Sequence, residues 1–409
     1  MELKDVLIAD LHLHSKYSRA CSKDLTFPNL TKWAKIKGIN LLGTGDFTHP
    51  IWFEEIKKLK SNGKGFYYYE DFPFIITGEI SLIYSDNGKG RRIHLVILVP
   101  SLEIAEKINN YIDNRGLRRD YDGRPIFGIS CKEFTKDLMK ISKSIEIIPA
   151  HAWTPWFGIF GSLGGYNSLK EAFGEEIENI HAIETGISSD PEMNWKIKEL
   201  ENFSIVSSSD SHSFWPWRLG REATIFKKTD SSFELIEQIR KKTFVGTIET
   251  DPAYGKYHWD GHRLCNFSCS PQTSRELNGI CPKCKKPLVI GVEYRVEELT
   301  NPNSNHKNKK DFFKILPLHE ILSFYYKVSV NSKKIWIIYN NLIKIFENEF
   351  NILLKVSEED LIKEKIEKDL IDLILKNRQG KIKVKPGYDG VYGEAIIEEI
   401  KKDKQKKLF

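Results

Sequence analysis

Seven short apolar runs, each ending in polar or charged residues, divide the first 250 residues: VLIADLH (6–12), NLLGTGD (40–46), FIITGE (74–79), IHLVILV (93–99), EIIPAH (146–151), IHAIETG (180–186) and SIVSSSD (204–210). Amphipathic stretches lie between several of them, among them FPNLTKWAKIKG (27–38), SLEIAEKINNYIDNR (101–115) and CKEFTKDLMKIS (131–142). Strands alternating with helices predict an α/β fold with a parallel sheet, and this number of units predicts closure into a barrel.

The ends of these runs carry metal-ligand chemistry. His12 and His14 flank one residue, so an extended backbone projects both imidazoles from one face. Asp46, Glu79, His151, Asp210 and His212 also fall at or just after run ends, whereas His94 stands at the start of its run. A lone buried histidine is ordinarily a hydrogen-bonded core residue. A set of this size at one rim points instead to divalent cations, because imidazole and carboxylate together suit Zn, Mn or Fe. Glu79 is the natural carboxylate to bridge two of them.

A chain of 409 residues with 40% hydrophobic content can bury a sizeable core, and it predicts two or three domains. No apolar run approaches the roughly 18 residues that span a bilayer, and ELKDV after Met1 is unlike a secretory leader, so the expected location is intracellular, cytoplasmic and nucleoid-associated. The net charge of +6 is modest, yet lysines cluster in NHKNKKDFFK and KKDKQKK, a distribution suited to phosphate backbones.

Cys21 and Cys131 stand alone and read as unpaired thiols. The other four, Cys265, Cys269, Cys281 and Cys284, follow C-x3-C-x11-C-x2-C, a spacing that lets four thiolates converge on one structural zinc. His258 and His262 are minor candidates for the same site. The composition changes near residue 250, giving an expected division into a metal-dependent domain (1–250), a four-cysteine module (251–300) and a mainly helical C-terminal domain with a basic tail (301–409). The helical assignment rests on LHEILSFYYKVS, WIIYNNLIKIFENEF and EEDLIKEKIEKDLIDLILKNR.

HLHS, GTGDFTH, TGE, PAHAW and SSSDSH resemble the metal motifs of the polymerase and histidinol phosphatase (PHP) superfamily. More narrowly, SRACSKDLTFPNLTKWAKIKGINLLGTGDFTHP, HAWTPWFGIFGS, ETGISSDPEMNW, the cysteine module with KPLVIGVEYRVEELTNP, and PGYDGVYG together resemble endonuclease Q across nearly the whole chain. The resemblance implies a distorted seven-stranded barrel with two or three active-site metals (Zn, Mn or Mg) beside the structural zinc. It implies one cation on His12, His14, Glu79 and Asp210 and a second on Glu79, His94 and His151. A third is assigned to Asp46, His49 and His212, although Ala20 and Phe47 stand where many superfamily members carry histidine.

The implied activity is hydrolysis of the phosphodiester 5′ to a deaminated base (uracil, hypoxanthine, xanthine) or an abasic site, with His12, His14, Glu79 and Asp210 as the catalytic set. A damaged base must leave the stack to be read, which calls for flat apolar walls. Trp153, Trp156, Phe157, Trp215 and Trp217, with Arg218 and Arg221, are the assigned DNA contacts. Gln405, Leu408 and Phe409 resemble the start of a peptide that binds the sliding clamp (PCNA). Nothing in the sequence demands more than a monomer. The competing readings are a small-molecule phosphomonoesterase like histidinol phosphatase, which has no evident need for the cysteine module and basic loops, and a DNA-binding module with an inactive site.

Overall fold

The computed structural model describes residues 5–396; the assigned clamp-binding residues Gln405, Leu408 and Phe409 lie outside the described residues. Its centre is a mixed sheet. Strand β1 (Val6–Asp10) leads into helix α1 (Phe27–Lys37), which enters through a proline in its first turn and ends at Gly38, where φ is 97°. Glycine adopts that left-handed conformation without steric cost. Leu30, Trp33 and Ala34, spaced three and four residues apart, turn one face of α1 to the core.

Strand β2 (Leu41–Gly43) lies parallel to β1, and β3 (Phe72–Asp86) lies parallel to β2. The next strand departs from the expected alternation. β4 (Lys89–Val99) folds straight back on β3 as an antiparallel hairpin, with no intervening helix. The cause is the dipeptide Asn87-Gly88, whose φ values of 51° and 75° place both residues in the left-handed region that a two-residue type I′ turn requires. Because β4 runs in reverse, its early part lies beside the end of β3, and His94 pairs across from Ser81, two residues past Glu79.

Helices α2 (Leu102–Asn114) and α3 (Cys131–Ile141) start at Ser101 and Ser130, whose hydroxyls accept from Ile104 N and Glu133 N. They bury Ala105, Ile108 and Ile112, and Phe134 and Leu138, respectively. β5 (Glu146–Pro149) is antiparallel to β4. β6 (Ala182–Glu184) and β7 (Ser204–Val206) form a parallel pair tied to the rest by single bridges, Ile147 to Ile180 on one side and Leu13 to Ser211 on the other. The strand path therefore returns towards its start. β8 (Ala223–Lys227) pairs antiparallel with β1, helix α4 (Ser232–Arg240) follows, and β9 (Gly246–Glu249) pairs with β8.

A small unit follows, made of the hairpin β10 (Asp260–His262) and β11 (Phe267–Cys269), the two-cysteine turn near 281–284, and helix α5 (Val292–Leu299). The chain then rejoins the sheet as β12 (Asp311–Lys314), parallel to β9. The C-terminal part holds the α-helices α6 (Leu318–Tyr326), α7 (Lys333–Phe346), α8 (Glu358–Lys363) and α9 (Lys368–Arg378), followed by a short antiparallel pair, Lys383–Lys385 with Glu394–Ile396.

These helices dock on α1 and on the segment after Asp210. Buried Lys37 donates to Glu349 Oε1 at 2.6 Å and to the Pro216 carbonyl at 2.7 Å, and Tyr339 donates to the other Glu349 oxygen at 2.8 Å. Trp33, Trp215, Trp217, His319 and Trp336 pack around this pair. No helix among the described residues is long and apolar enough to cross a membrane.

Candidate metal centre

The segments just past β1, β5 and β7, with the middle of the β3–β4 hairpin, bring six side chains together. His12, His14, Glu79 and Asp210 each offer a ligand atom within 4.8 Å of the others, and Glu79, His94 and His151 form a second such group. Glu79 belongs to both, and its two oxygens divide the work. Oε2 lies 3.3 Å from His14 Nε2 and 3.6 Å from His12 Nε2, while Oε1 lies 2.7 Å from His94 Nδ1 and 3.2 Å from His151 Nε2. Asp210 Oδ1 stands 3.1 Å from His14 Nε2 and 3.6 Å from His12 Nε2.

Outer partners fix which imidazole nitrogen faces inward. His12 Nδ1 is held by Glu184 at 2.9 Å and His14 Nδ1 by Asp46 at 3.0 Å, leaving each Nε2 for the centre. Glu184 Oε2 also accepts from His151 N at 2.8 Å. His12 Nε2 is buried without a hydrogen-bond partner. A buried imidazole nitrogen left bare is costly unless something occupies the space before it, so the donor set fits a divalent cation there. The backbone is strained at the same place: Asp46, His151 and Asp210 have φ of 47°, 31° and 48°, values non-glycine residues rarely adopt.

The electrostatics agree. Burial works to raise the Glu79 carboxyl, but His94, Arg124 and His12 outweigh it and hold the group well below the usual range. Burial pushes His94 down to about 4, against the pull of Glu79. Asp210 is drawn down by His12, His14 and His212 despite its burial. The site thus sets two ionised carboxylates among four imidazoles, and the partly exposed Asp210 marks its open side.

The residues assigned to a third cation do not form a third cluster. Asp46 is fully buried and already accepts from Ser15 N at 2.6 Å and Ser18 Oγ at 2.9 Å besides bonding His14. It fixes the His14 ring through Nδ1. His49 stacks on Tyr17 with ring centres 4.3 Å apart, and His212 sits beside His14 at 4.4 Å with Nδ1 3.6 Å from Asp210 Oδ1. Among the described residues, only the two groups around Glu79 form here.

The cysteine unit also differs from the expected set. His262, Cys265, Cys281 and Cys284 gather, with Cys284 Sγ 3.5 Å from His262 Nδ1. Cys269 is outside this group, although it packs in the same small cluster as Cys281; the β10–β11 ladder pairs it with Asp260, at the end of the hairpin away from the turn that carries Cys265. His262, one strand across from Phe267, lies at the turn end and takes the fourth place. Cys21 and Cys131 are free, as expected from their isolation.

Among the assigned DNA contacts, Trp153 is 1% exposed and donates to Asn194 Oδ1 at 2.7 Å, so it is core. Trp217 is also buried, stacked on Trp215 and against His319 of the C-terminal helices. Neither presents a face to a base. Trp156 (41% exposed) and Trp215 (36%) are partly open, the latter with one face stacked on Trp217. Phe157 stacks on the ligand His94 at 4.3 Å, and its carbonyl accepts from His94 N. Arg218 lies over the Tyr392 ring, and Arg221 donates to the Ser209 carbonyl at 3.3 Å, beside Asp210.

Two residues at the site escape a reading of run ends. Glu184 closes β6 just as Glu79 lies on β3, and that position was the available signal. Arg124, from the loop after α2, reaches Glu79 Oε2 at 3.1 Å; nothing in its local pattern announces this.

The fold and the shared carboxylate define an α/β scaffold with two adjoining groups of candidate metal ligands at one end. The chain superposes on the crystal structure of the lesion-specific endonuclease PfuEndoQ from Pyrococcus furiosus with a TM-score of 0.86 and 30% identity, covering 96% of each chain. It superposes on an endonuclease Q bound to a 27-mer duplex substrate with an abasic lesion at the active site with a TM-score of 0.87 and 31% identity, covering 96% of this chain and 97% of the other. The chain belongs to the endonuclease Q family.

In sequence it is 27% identical to the Bacillus subtilis protein YqxK over 95% of this chain and 98% of that one. It is 29% identical to the Methanocaldococcus jannaschii protein MJ0043 over 60% of this chain but 31% of that one, so it spans under a third of that longer relative. Residues 317–381 match the family model of the MJ0043 C-terminal domain.

Proposed function

We propose that the protein is a metal-dependent DNA repair endonuclease that hydrolyses the phosphodiester 5′ to a deaminated base (uracil, hypoxanthine or xanthine) or an abasic site. The observation that carries this reading is the Glu79 carboxylate, set between two imidazole-rich groups in a chain that shares its full-length fold with endonuclease Q. His12, His14, Glu79 and Asp210 would hold one cation, and Glu79, His94 and His151 the other. Bound Zn, Mn or Mg would supply an activated water and charge neutralisation at the scissile phosphate.

The chain's own residues do the rest. Glu184 and Asp46 keep two histidines turned inward. Phe157, against His94, shields that histidine's ring, while Trp156 and Trp215 offer flat apolar surface for an extruded nucleotide. Arg218 and Arg221 add positive charge just beyond Asp210. Supporting a distorted seven-stranded barrel for residues 1–250 is the returning strand path β1 to β7.

The His262, Cys265, Cys281 and Cys284 cluster suits a structural zinc, because four protein ligands leave no position for chemistry. Arg263, Lys283, Lys285 and Lys286 are exposed around it, a surface that would grip duplex flanking the lesion, with the remaining helices from about 301 bracing the loop after Asp210. One copy of the chain carries every residue of the site, and the substrate places the enzyme with chromosomal DNA inside the cell.

The test is a strand-nicking assay on a labelled duplex carrying one deoxyuridine, deoxyinosine or abasic analogue, run beside hydrolysis of histidinol phosphate. Cleavage 5′ to the lesion, leaving a 3′-hydroxyl and a 5′-phosphate, with no turnover of histidinol phosphate, is the expected result. The reverse pattern would favour a small-molecule phosphomonoesterase.

A further inference from the structure

The loop after α2 projects one side chain into the site around Glu79. Gly123 is pressed so closely against Asp46 and Ser18 that a Cβ there would lie 2.2 Å from Asp46 Oδ2. Gly123 N donates to the Tyr17 carbonyl at 3.1 Å, Asp122 Oδ1 accepts from both Arg19 N and Arg124 N at 3.2 Å, and Ser81 N donates to the Pro125 carbonyl at 3.0 Å. The loop is thereby fastened on both sides of Arg124. Its guanidinium meets Glu79 Oε2 at 3.1 Å, on the side of the carboxylate that also faces His12 and His14. The side chain is 27% exposed, open along one edge, and among the described residues Nη1 makes its one hydrogen bond with an acceptor.

From this geometry we infer that Arg124 is a further catalytic residue, one that binds a non-bridging oxygen of the scissile phosphate. A guanidinium offers five donors in a rigid fork matched to phosphate, and it keeps its charge at any working pH. Cations on Glu79 would compete for the oxygen that Arg124 now contacts, and the guanidinium, which also feels Asp210 and Asp122, would have donors left for a substrate phosphate held by those cations. During hydrolysis the water oxygen forms a bond to phosphorus and the P–O3′ bond breaks. One water proton ends on the 3′ oxygen, and the other is released as the 5′-phosphate ionises. The pentavalent transition state therefore carries more negative charge on its equatorial oxygens than the diester, and a fixed guanidinium stabilises it preferentially.

This inference rests on the phosphodiesterase reading, and its test separates the two. Wild type, Arg124→Lys and Arg124→Ala are loaded with Mn²⁺, their metal content is measured, and inorganic phosphate is titrated into each by calorimetry. Nicking of the deoxyuridine duplex is then measured with and without added guanidinium ion. The expected result is unchanged metal content, phosphate affinity at least about tenfold weaker in Arg124→Ala, and kcat lower by about 10²–10³ with KM little changed, partly restored by guanidinium. Undiminished phosphate affinity in a fully metallated Arg124→Ala protein would overturn the inference. So would loss of metal from that variant, because Arg124 would then serve only to hold Glu79. Wild-type protein that binds phosphate through Arg124 yet leaves the lesion duplex intact would overturn the nuclease reading instead.

Discussion

The centre around Glu79 and the cluster around Cys281 use overlapping side-chain types to opposite ends. Around Glu79 the ligand atoms come from five separate segments between positions 12 and 210, they share one carboxylate, and Asp210 leaves one side open. Around Cys281 they come from one hairpin and one turn, Cys281 is fully buried, and the four side chains would close the sphere of a bound zinc. An open, distributed centre can change its ligands during a reaction but depends on the whole fold to assemble. A closed, local one performs no chemistry and instead holds its own neighbourhood together.

If this contrast is right, Glu79→Gln has the largest effect. It removes the shared charge, and nicking should fall by about 10³-fold or more. Metal analysis should show both active-site cations weakened while the zinc of the cysteine unit stays. Loss of all metal together would break the comparison, since the two centres would then not be independent.

Next come substitutions in the cysteine unit. Cys281→Ser should lose the zinc and lower the thermal midpoint of that unit, whereas Cys269→Ser should keep the zinc and cost about 1–2 kcal/mol as a small buried change. Zinc stoichiometry in His262→Ala and Cys269→Ser, compared side by side, decides which is the fourth ligand. A smaller loss belongs to the outer partners: Asp46→Asn and Glu184→Gln should weaken cation binding by about 10–100-fold, read by metal titration.

The smallest effect is on stability rather than on either centre. His319 is fully buried among aromatic rings, and burial depresses it to about 3, with Lys37 adding to the shift. A histidine held neutral in the fold binds fewer protons than its unfolded counterpart between these values. Stability from this site is therefore present above pH 6.5 and is lost as pH falls towards 3. Acidification from pH 6.5 to 5 should cost about 2 kcal/mol through this group, and His319→Phe should remove that part of the acid sensitivity in urea melts.

His12, His14 and His151 were legible in the sequence because each sits within a residue or two of the end of an apolar run. His94 fits only once Asn87-Gly88 is recognised as a two-residue hairpin turn that reverses its strand. The turn signal was in plain view, but periodicity alone cannot distinguish a reversed strand from a parallel one. Asp46 was expected to hold a third cation, whereas here its carboxylate bonds His14 Nδ1. Residue type and spacing reveal that a carboxylate is near a histidine, but not which of the two faces the cation.

Cys269 misled for a related reason. The spacing of four cysteines is met in the sequence, while the pairing of β10 with β11 sets Cys269 at the far end of the hairpin and brings His262 beside Cys284. Arg124 lay beyond reach, since its position depends on a loop clasped between Asp46 and Ser81, far from it in sequence. Trp153 and Trp217 show the limit of reading aromatic residues from composition: the same ring type serves as core at one position and, two or three residues away, as open surface.

The claim on which the rest depends is that one carboxylate serves two cations. Anomalous diffraction from crystals grown with Mn²⁺ tests it directly. The account predicts two peaks, one on each oxygen of Glu79, the first shared with His12, His14 and Asp210 and the second with His94 and His151. A single peak, or a Glu79 side chain turned away from the histidines with none, would contradict it.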